Sequence, residues 1–290
     1  MRVLVTGGSG FLGGYVIPLL TALDVDVVAL ARSSAAAQRV ATLGATPVSG
    51  DLDDAPSLER AFKDVQVLVN LASLGFGHAP AIVNACLAAD VERAGFVSTT
   101  SVFTKTKAAS RPVRLAAEET IKVSALKWTI VRPTMIYGAA EDRNMARLLH
   151  LIARYPVVVL PGGGSRLQQP VHVADLASAI VTAFLDGRSV GKCYNIAGPE
   201  PLTLRSVIEQ ASVALGRRPR LIPVPISLAI GIVGLYGKLA RRPRLTLEQV
   251  RRLAEDKAFD NSDAERELNY SPRPFSVGIL QQAHQMGLLP

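Results

Sequence analysis

Cysteine is scarce in this chain of 290 residues. The two present, Cys86 and Cys193, lie far apart in sequence and form no CxxC or Cys/His cluster. A disulfide scaffold and a zinc module are both excluded, and no metal site is expected. Charged residues make up only 19% and apolar ones 49%, which excludes a disordered polar chain and leaves material for a buried core. The N-terminus, MRVLVTGG, has one arginine and a short apolar run before its glycines, too little for a signal-peptide core. From these absences a reducing, cytoplasmic setting is expected.

What is present is an alternation of short apolar runs with helical spacings. Strands are expected over Arg2–Thr6, Asp26–Ala31, Thr46–Ser49, Val65–Ala72, Gly95–Ser98 and Trp128–Arg132. Helices are expected over Phe11–Leu23, Ala35–Leu43, Leu58–Phe62, Ala79–Ala89 and Leu115–Ser124. The strand runs are continuously apolar rather than alternating, as a parallel sheet covered on both faces requires. The fold class is therefore α/β: a doubly wound parallel Rossmann sheet with a small C-terminal substrate-capping region. Residues 1–160 are expected to form the sheet domain and 161–290 mainly the cap, with later segments free to return to the sheet. Within the second half, helices are expected at Val173–Leu185 and Thr203–Leu215, with Thr203 as N-cap.

The strongest motif is Gly7-x-x-Gly10-x-x-Gly13, directly after the first strand and opening the first helix. Glycines there permit a left-handed turn and remove Cβ atoms where a pyrophosphate approaches, while the helix N-terminus offers free N–H groups. Gly7, Ser9, Gly10, Phe11, Leu12 and Gly13 are the expected phosphate cradle. The second strand ends Leu30-Ala31-Arg32-Ser33-Ser34. An acid there would bind the ribose 2′-hydroxyl of NAD. Arg32 beside two hydroxyls suits a 2′-phosphate instead, so NADP is expected ahead of NAD.

These segments resemble the short-chain dehydrogenase/reductase superfamily, in its extended or atypical branch of epimerase- and dehydratase-like proteins, over nearly the whole chain. The resemblance implies that Asp51 and Leu52 of Gly50-Asp51-Leu52 meet the adenine. It places Asn70 and Ala72 on the cofactor wall and Pro133 and Thr134 of the RPTMIYG segment beside the nicotinamide. It also puts Tyr137, Gln169 and His172 near the substrate.

The catalytic part departs from the family pattern. Ser98-Thr99-Thr100-Ser101-Val102-Phe103 aligns with the dehydratase segment S-T-D-E-V-Y-G, placing Thr99 where a hydroxyl holds the reacting oxygen. Thr100 and Ser101 stand where a dehydratase needs two carboxylates, which argues against sugar dehydration. Counting back from Ala116-Ala117-Glu118-Glu119 puts Ser110 and Arg114 at the Tyr and Lys of the Tyr-x-x-x-Lys pair. Arg114 can keep a cation near the ribose but does not donate a proton readily. Lys105 and Lys107, just past the fifth strand, are the alternative proton donors, provided that burial lowers their pKa. The short loop before Ser110 is similar to atypical members such as the accessory subunit of respiratory complex I.

Charge is unevenly spread. Residues 217–252 hold Arg217, Arg218, Arg220, Lys238, Arg241, Arg242, Arg244, Arg251 and Arg252 against Glu248, which equals the net charge of +8. They flank the apolar window Leu221–Ala240, which is broken by Pro223, Pro225, Gly231, Gly234 and Gly237. Either that window packs beside the substrate pocket, or it lies at an anionic membrane surface. Nucleic acid is not expected, because no aromatic stacking platform accompanies the arginines. A homodimer is the protein partner the pattern allows. Two functions remain: an NADP-dependent reductase or epimerase-like enzyme acting on a nucleotide sugar or lipid-linked sugar, or an NADP-loaded scaffold or sensor without turnover.

Overall fold

The computed structural model describes residues 1–106, 108–142, 144–239 and 255–289. Lys107 and the arginines of 241–252 lie outside the described residues.

Seven parallel strands form the central sheet: β1 (Arg2–Thr6), β2 (Asp26–Ala31), β3 (Thr46–Ser49), β4 (Val67–Asn70), β5 (Arg93–Val97), β6 (Trp128–Pro133) and β11 (Lys192–Ile196). Their spatial order is β11-β6-β5-β4-β1-β2-β3. Chain direction across the sheet reverses between β1 and β4, the topological switch point where open α/β sheets bind ligands. Both faces are covered, which explains the unbroken apolar runs. Val3 and Val5 of β1 pack beneath α1 (Gly13–Thr21) and α7 (Val173–Leu185), against Ile17 and Ile180. Leu4 points the other way, into the cluster under α3 (Ala55–Ala61), α4 (Ala79–Ala88) and α5 (Arg111–Lys122). Gly95 lets α7 seat directly on β5: a Cβ there would lie 2.0 Å from Phe184 Cγ.

The capping lobe is built from α6 (Met145–Arg154), α8 (Leu204–Ala214) and α11 (Phe275–Gln285), with β8 (Val157–Pro161) paired to β13 (Arg220–Val224). Leu149, Ile152, Leu160, Val207, Ile208 and Ile279 form its core. The lobe thus begins before residue 160, because the apolar face of α6 packs on α8. Conversely α7, β11 and α10 (Ser262–Leu268) belong to the sheet layers. Small pairs stitch the two halves together: β7 (Ile136–Tyr137) with β10 (Val171–His172), and β9 (Leu167–Gln168) with β12 (Leu202–Thr203).

Three helix starts differ from expectation by more than one residue. α3 begins at Ala55 rather than Leu58, with Pro56 in its first turn. α1 begins at Gly13 rather than Phe11, because Phe11 and Leu12 complete the glycine turn. α5 begins one turn early, at Arg111, because Pro112 is compatible with a helix's first turn. As expected, Thr203 caps α8 by accepting from the Ser206 N–H at 3.0 Å. The apolar window divides into β13 and α9 (Ile226–Leu239) around Pro225. On α9, Ala229 and Val233 are covered by Val224, Ile226 and Ile230, while Leu228 and Ile232 are exposed. Among the described residues no helix is long and apolar enough to cross a membrane.

Candidate active site

The loops after β1, β2, β4 and β5 converge at the carboxyl edge of the sheet. Of the three motif glycines only Gly7 has a left-handed backbone, at φ 71°. A Cβ on it would meet Ala72 N at 2.6 Å, so the loops after β1 and β4 touch through bare backbone. Gly13 answers a different need. Its Cβ would sit 1.9 Å from Gly8 O, so only glycine lets α1 start against the loop. Asn70, fully buried, braces this junction: Thr6 Oγ1 donates to its Oδ1 at 2.5 Å, and its Nδ2 donates to Ala72 O at 3.1 Å.

At the end of β5, Thr99 caps a single 3-10 turn, Thr100–Phe103, by accepting the Ser101 N–H at 3.2 Å. Arg114 Nη1 donates to Ser110 Oγ at 2.8 Å and to Ser101 Oγ at 3.2 Å. Its Nε would lie 3.2 Å from a Cβ on Gly75, on the loop after β4. Ser110 and Arg114 are one helical turn apart, so the i, i+4 spacing of the expected catalytic pair is kept with different chemistry.

A buried ion pair lies behind this cluster. Arg132 donates to Glu118 through Nε at 2.9 Å and Nη2 at 2.5 Å, and Ser98 Oγ donates to Glu118 Oε1 at 2.6 Å. Burial alone would raise the Glu118 carboxyl, but the bonds from Arg132 and Ser98 hold it below its ordinary value. The Arg132 guanidinium also lies 5.2 Å from the centroid of the Phe103 ring. The segment from Glu255 to Phe259 straps the front. Glu255 accepts from Thr104 and Thr106, Phe259 N donates to Gln169 Oε1 at 2.8 Å, and the Phe259 ring lies 6.0 Å from Phe103.

A strand-opened glycine loop at the switch point is a dinucleotide site by geometry, and relatives bear this out. The NAD(P)H-binding family model matches residues 7–186, more than half of the sequence. The chain belongs to the NAD(P)H-binding family. It is 28% identical to a 4-hydroxy-2-methyl-3-oxo-4-farnesyl-3,4-dihydroquinoline-1-oxide ketoreductase of Stigmatella aurantiaca, over 99% of this chain and 95% of that one. It is 29% identical to the mitochondrial NADH dehydrogenase (ubiquinone) 1 alpha subcomplex subunit 9 of Arabidopsis thaliana, over 78% of this chain and 60% of that one. A solved NADPH-dependent quinone oxidoreductase from Escherichia coli superposes with a TM-score of 0.77 at 20% identity, covering 96% of this chain and 98% of that one. The resemblance to the extended short-chain dehydrogenase/reductases is thereby borne out in fold and cofactor class.

The loop of this NAD(P)H-binding protein fits the cofactor. The N–H groups of Phe11 and Leu12 donate to no protein acceptor among the described residues, and both open onto the first turn of α1. Gly10 N donates to Gly7 O at 3.0 Å, which closes the turn behind them. Arg32 is exposed, with no ion pair or hydrogen bond among the described residues, while Ser33 caps α2 (Ser34–Thr42) by accepting the Ala36 N–H at 3.2 Å. Asp51 Oδ1 accepts from Asp53 N at 3.2 Å, and Ser57 Oγ holds the Asp51 N–H at 3.0 Å. Leu52 rests half-buried against the core cluster on that side. Pro133 O accepts from Thr100 Oγ1 at 3.2 Å, and Thr134 Oγ1 donates to Gln169 O at 2.5 Å.

Three residues expected to meet substrate are instead sealed inside the protein. Tyr137 is 1% exposed, its hydroxyl placed where only Gly278 fits, and burial raises its pKa well above the ordinary phenol value. Gln169 is spent on Gly198 O and the Phe259 N–H. His172, 5% exposed, caps α7 by accepting the Ala174 N–H at Nδ1, and its Nε2 faces Gly138 with no hydrogen-bond partner among the described residues. Burial, reinforced by Arg273, lowers its pKa to about 4. Lys105 is exposed, which removes the burial on which its candidacy as a proton donor rested, and Lys107 lies outside the described residues.

The sequence alone had not singled out Ser101 as a partner of Arg114, nor the Glu118–Arg132 pair. The only signal was an acid in a helix and an arginine on an apolar strand. Burial of that strand means that a charge on it must find a counter-charge.

Proposed function

We propose that the chain reduces a carbonyl of a largely apolar substrate with NADPH. The observation that carries this is the mouth of the site. Phe76 is 77% exposed and Phe103 50%, on the loops after β4 and β5 that flank the Thr99 cluster. Exposed aromatic rings at a cleft favour flat or alkyl-bearing ligands. The names of the Stigmatella ketoreductase and the E. coli quinone oxidoreductase point the same way. A nucleotide sugar or lipid-linked sugar is the other substrate class, which the exposed rings of Phe76 and Phe103 favour less.

NADPH, when bound, supplies the hydride. The glycine loop would hold its pyrophosphate and Arg32 its 2′-phosphate, with Asp51 at the adenine end. Thr99, Ser101 and Ser110 then orient the substrate oxygen, and Phe103 excludes water from that side.

The test is single-turnover oxidation of NADPH with alkyl quinones, 2-alkyl-3-oxo acids and a 4-keto nucleotide sugar. Oxidation by the apolar carbonyls is expected, and oxidation by the keto-sugar alone would refute the substrate class. A second function, an NADPH-holding scaffold, is favoured by Ser110 and Arg114 standing where a phenol and an ammonium are expected. The subunit name of the Arabidopsis relative agrees with it. Tight NADPH binding with no oxidation by any carbonyl would decide for the scaffold.

A further inference from the structure

Three hydroxyls crowd the carboxyl end of β5, and each is already engaged as an acceptor. Thr99 Oγ1 takes the Ser101 N–H at 3.2 Å. Ser101 Oγ and Ser110 Oγ both take hydrogens from one nitrogen, Arg114 Nη1, at 3.2 and 2.8 Å. That nitrogen carries two hydrogens, one for each serine. A hydroxyl used in this way keeps its own hydrogen for an outside acceptor. Among the described residues none of the three donates to a protein oxygen. The guanidinium behind them keeps its charge in any folded protein. It is braced between the Gly75 loop and the first turn of α5.

We propose that Thr99, Ser101 and Ser110, with Arg114 behind them, form an oxyanion site that takes the oxygen of a carbonyl as it becomes an alkoxide, or a phenolate of similar size. This rests on the carbonyl-reductase function above. It replaces an acidic phenol by preorganised donors backed by a fixed cation, which are strongest where charge develops. In the step, hydride with its electron pair leaves the dihydropyridine of NADPH, giving NADP⁺, and adds to the carbonyl carbon. The C=O π pair moves onto oxygen. That oxygen takes a proton from a water molecule, and buffer acid neutralises the hydroxide left behind. One carbonyl, one NADPH and one proton give one alcohol and one NADP⁺.

Two readouts test the site. The first is independent of turnover: 4-nitrophenol is titrated by absorbance on the NADP⁺-loaded protein. Bound probe should ionise on the order of one pH unit below free probe. Ser110→Ala and Arg114→Gln should return it toward the free value, and Ser110→Thr should keep the shift. Ser110 makes no capping bond to α5, so its truncation leaves the helix intact. The second readout is the KM-against-kcat split with a carbonyl substrate. Arg114→Gln should lower kcat about 100-fold and Ser101→Ala or Ser110→Ala about 10-fold, with KM nearly unchanged. An unshifted probe in the wild type, or a shift that survives both Ser110→Ala and Arg114→Gln, overturns the oxyanion site. Turnover by the wild type together with an unshifted probe leaves the reductase function standing without it. A shifted probe with no turnover on any carbonyl keeps the oxyanion site and removes the reductase function.

Discussion

Gly13 and Gly14 are neighbours in the first turn of α1, and the structure assigns them opposite tolerances. A Cβ on Gly13 would stand 1.9 Å from Gly8 O, 2.5 Å from Gly8 C and 2.7 Å from Gly8 Cα. All three atoms are backbone, so no side chain can swing aside. To restore an ordinary contact, α1 must retreat by about 1.5 Å, dragging Val16, Ile17 and Leu20 out of register with β1 and α7. Overpacking costs roughly 1–3 kcal/mol, and rigid backbone on both sides places Gly13→Ala near the top of that range. About 3 kcal/mol in a domain of this size lowers Tm by about 6 °C. The same retreat moves the Phe11 and Leu12 N–H groups, so NADPH affinity should fall as well. A Cβ on Gly14 meets nothing within 4 Å, so Gly14→Ala should be neutral or stabilising by up to about 1 kcal/mol through helix propensity. Thermal unfolding with and without NADPH measures both effects. Gly13→Ala as stable as the wild type, or Gly14→Ala as damaging as Gly13→Ala, would refute the packing argument.

The wild type should bind NADPH more tightly than NADH, and Arg32→Ala should abolish the preference. Because Arg32 is exposed, the difference should be about 10-fold, and equal affinities in fluorescence titrations of the wild type would disprove it. Asp51→Ala should weaken both dinucleotides alike, whereas unchanged affinity would reduce Asp51 to its turn with Asp53. His172, with its pKa lowered to about 4, stays neutral in the folded state while the unfolded chain takes up a proton below about pH 6.5. The stability it contributes is therefore complete above pH 6.5 and lost progressively down to pH 4, by about 3 kcal/mol. His172→Asn keeps a capping acceptor and should flatten urea-unfolding stability across that window. An unchanged slope would show that other groups govern it.

The sequence by itself determined six of the seven sheet strands and the cofactor loop, but not β11, an edge strand of mixed polarity (Lys192–Ile196). Both are local: a buried parallel strand must be apolar throughout, and a turn that passes bare backbone against Ala72 must be glycine at Gly7. The same locality made the absence of a phenol at Ser110 and the arginine at Arg32 readable without coordinates. Only the tertiary structure decided what the polar residues do. Gln169, Tyr137 and His172 sit in segments that resemble a substrate wall, yet their partners, Gly198, Gly278 and Gly138, come from elsewhere in the fold. Lys105 turned outward, whereas Arg114 turned onto two serines. A side chain's chemistry is set by what faces it. Those neighbours are fixed by packing between segments as far apart in sequence as Tyr137 and Gly278, over which no periodicity in the sequence extends.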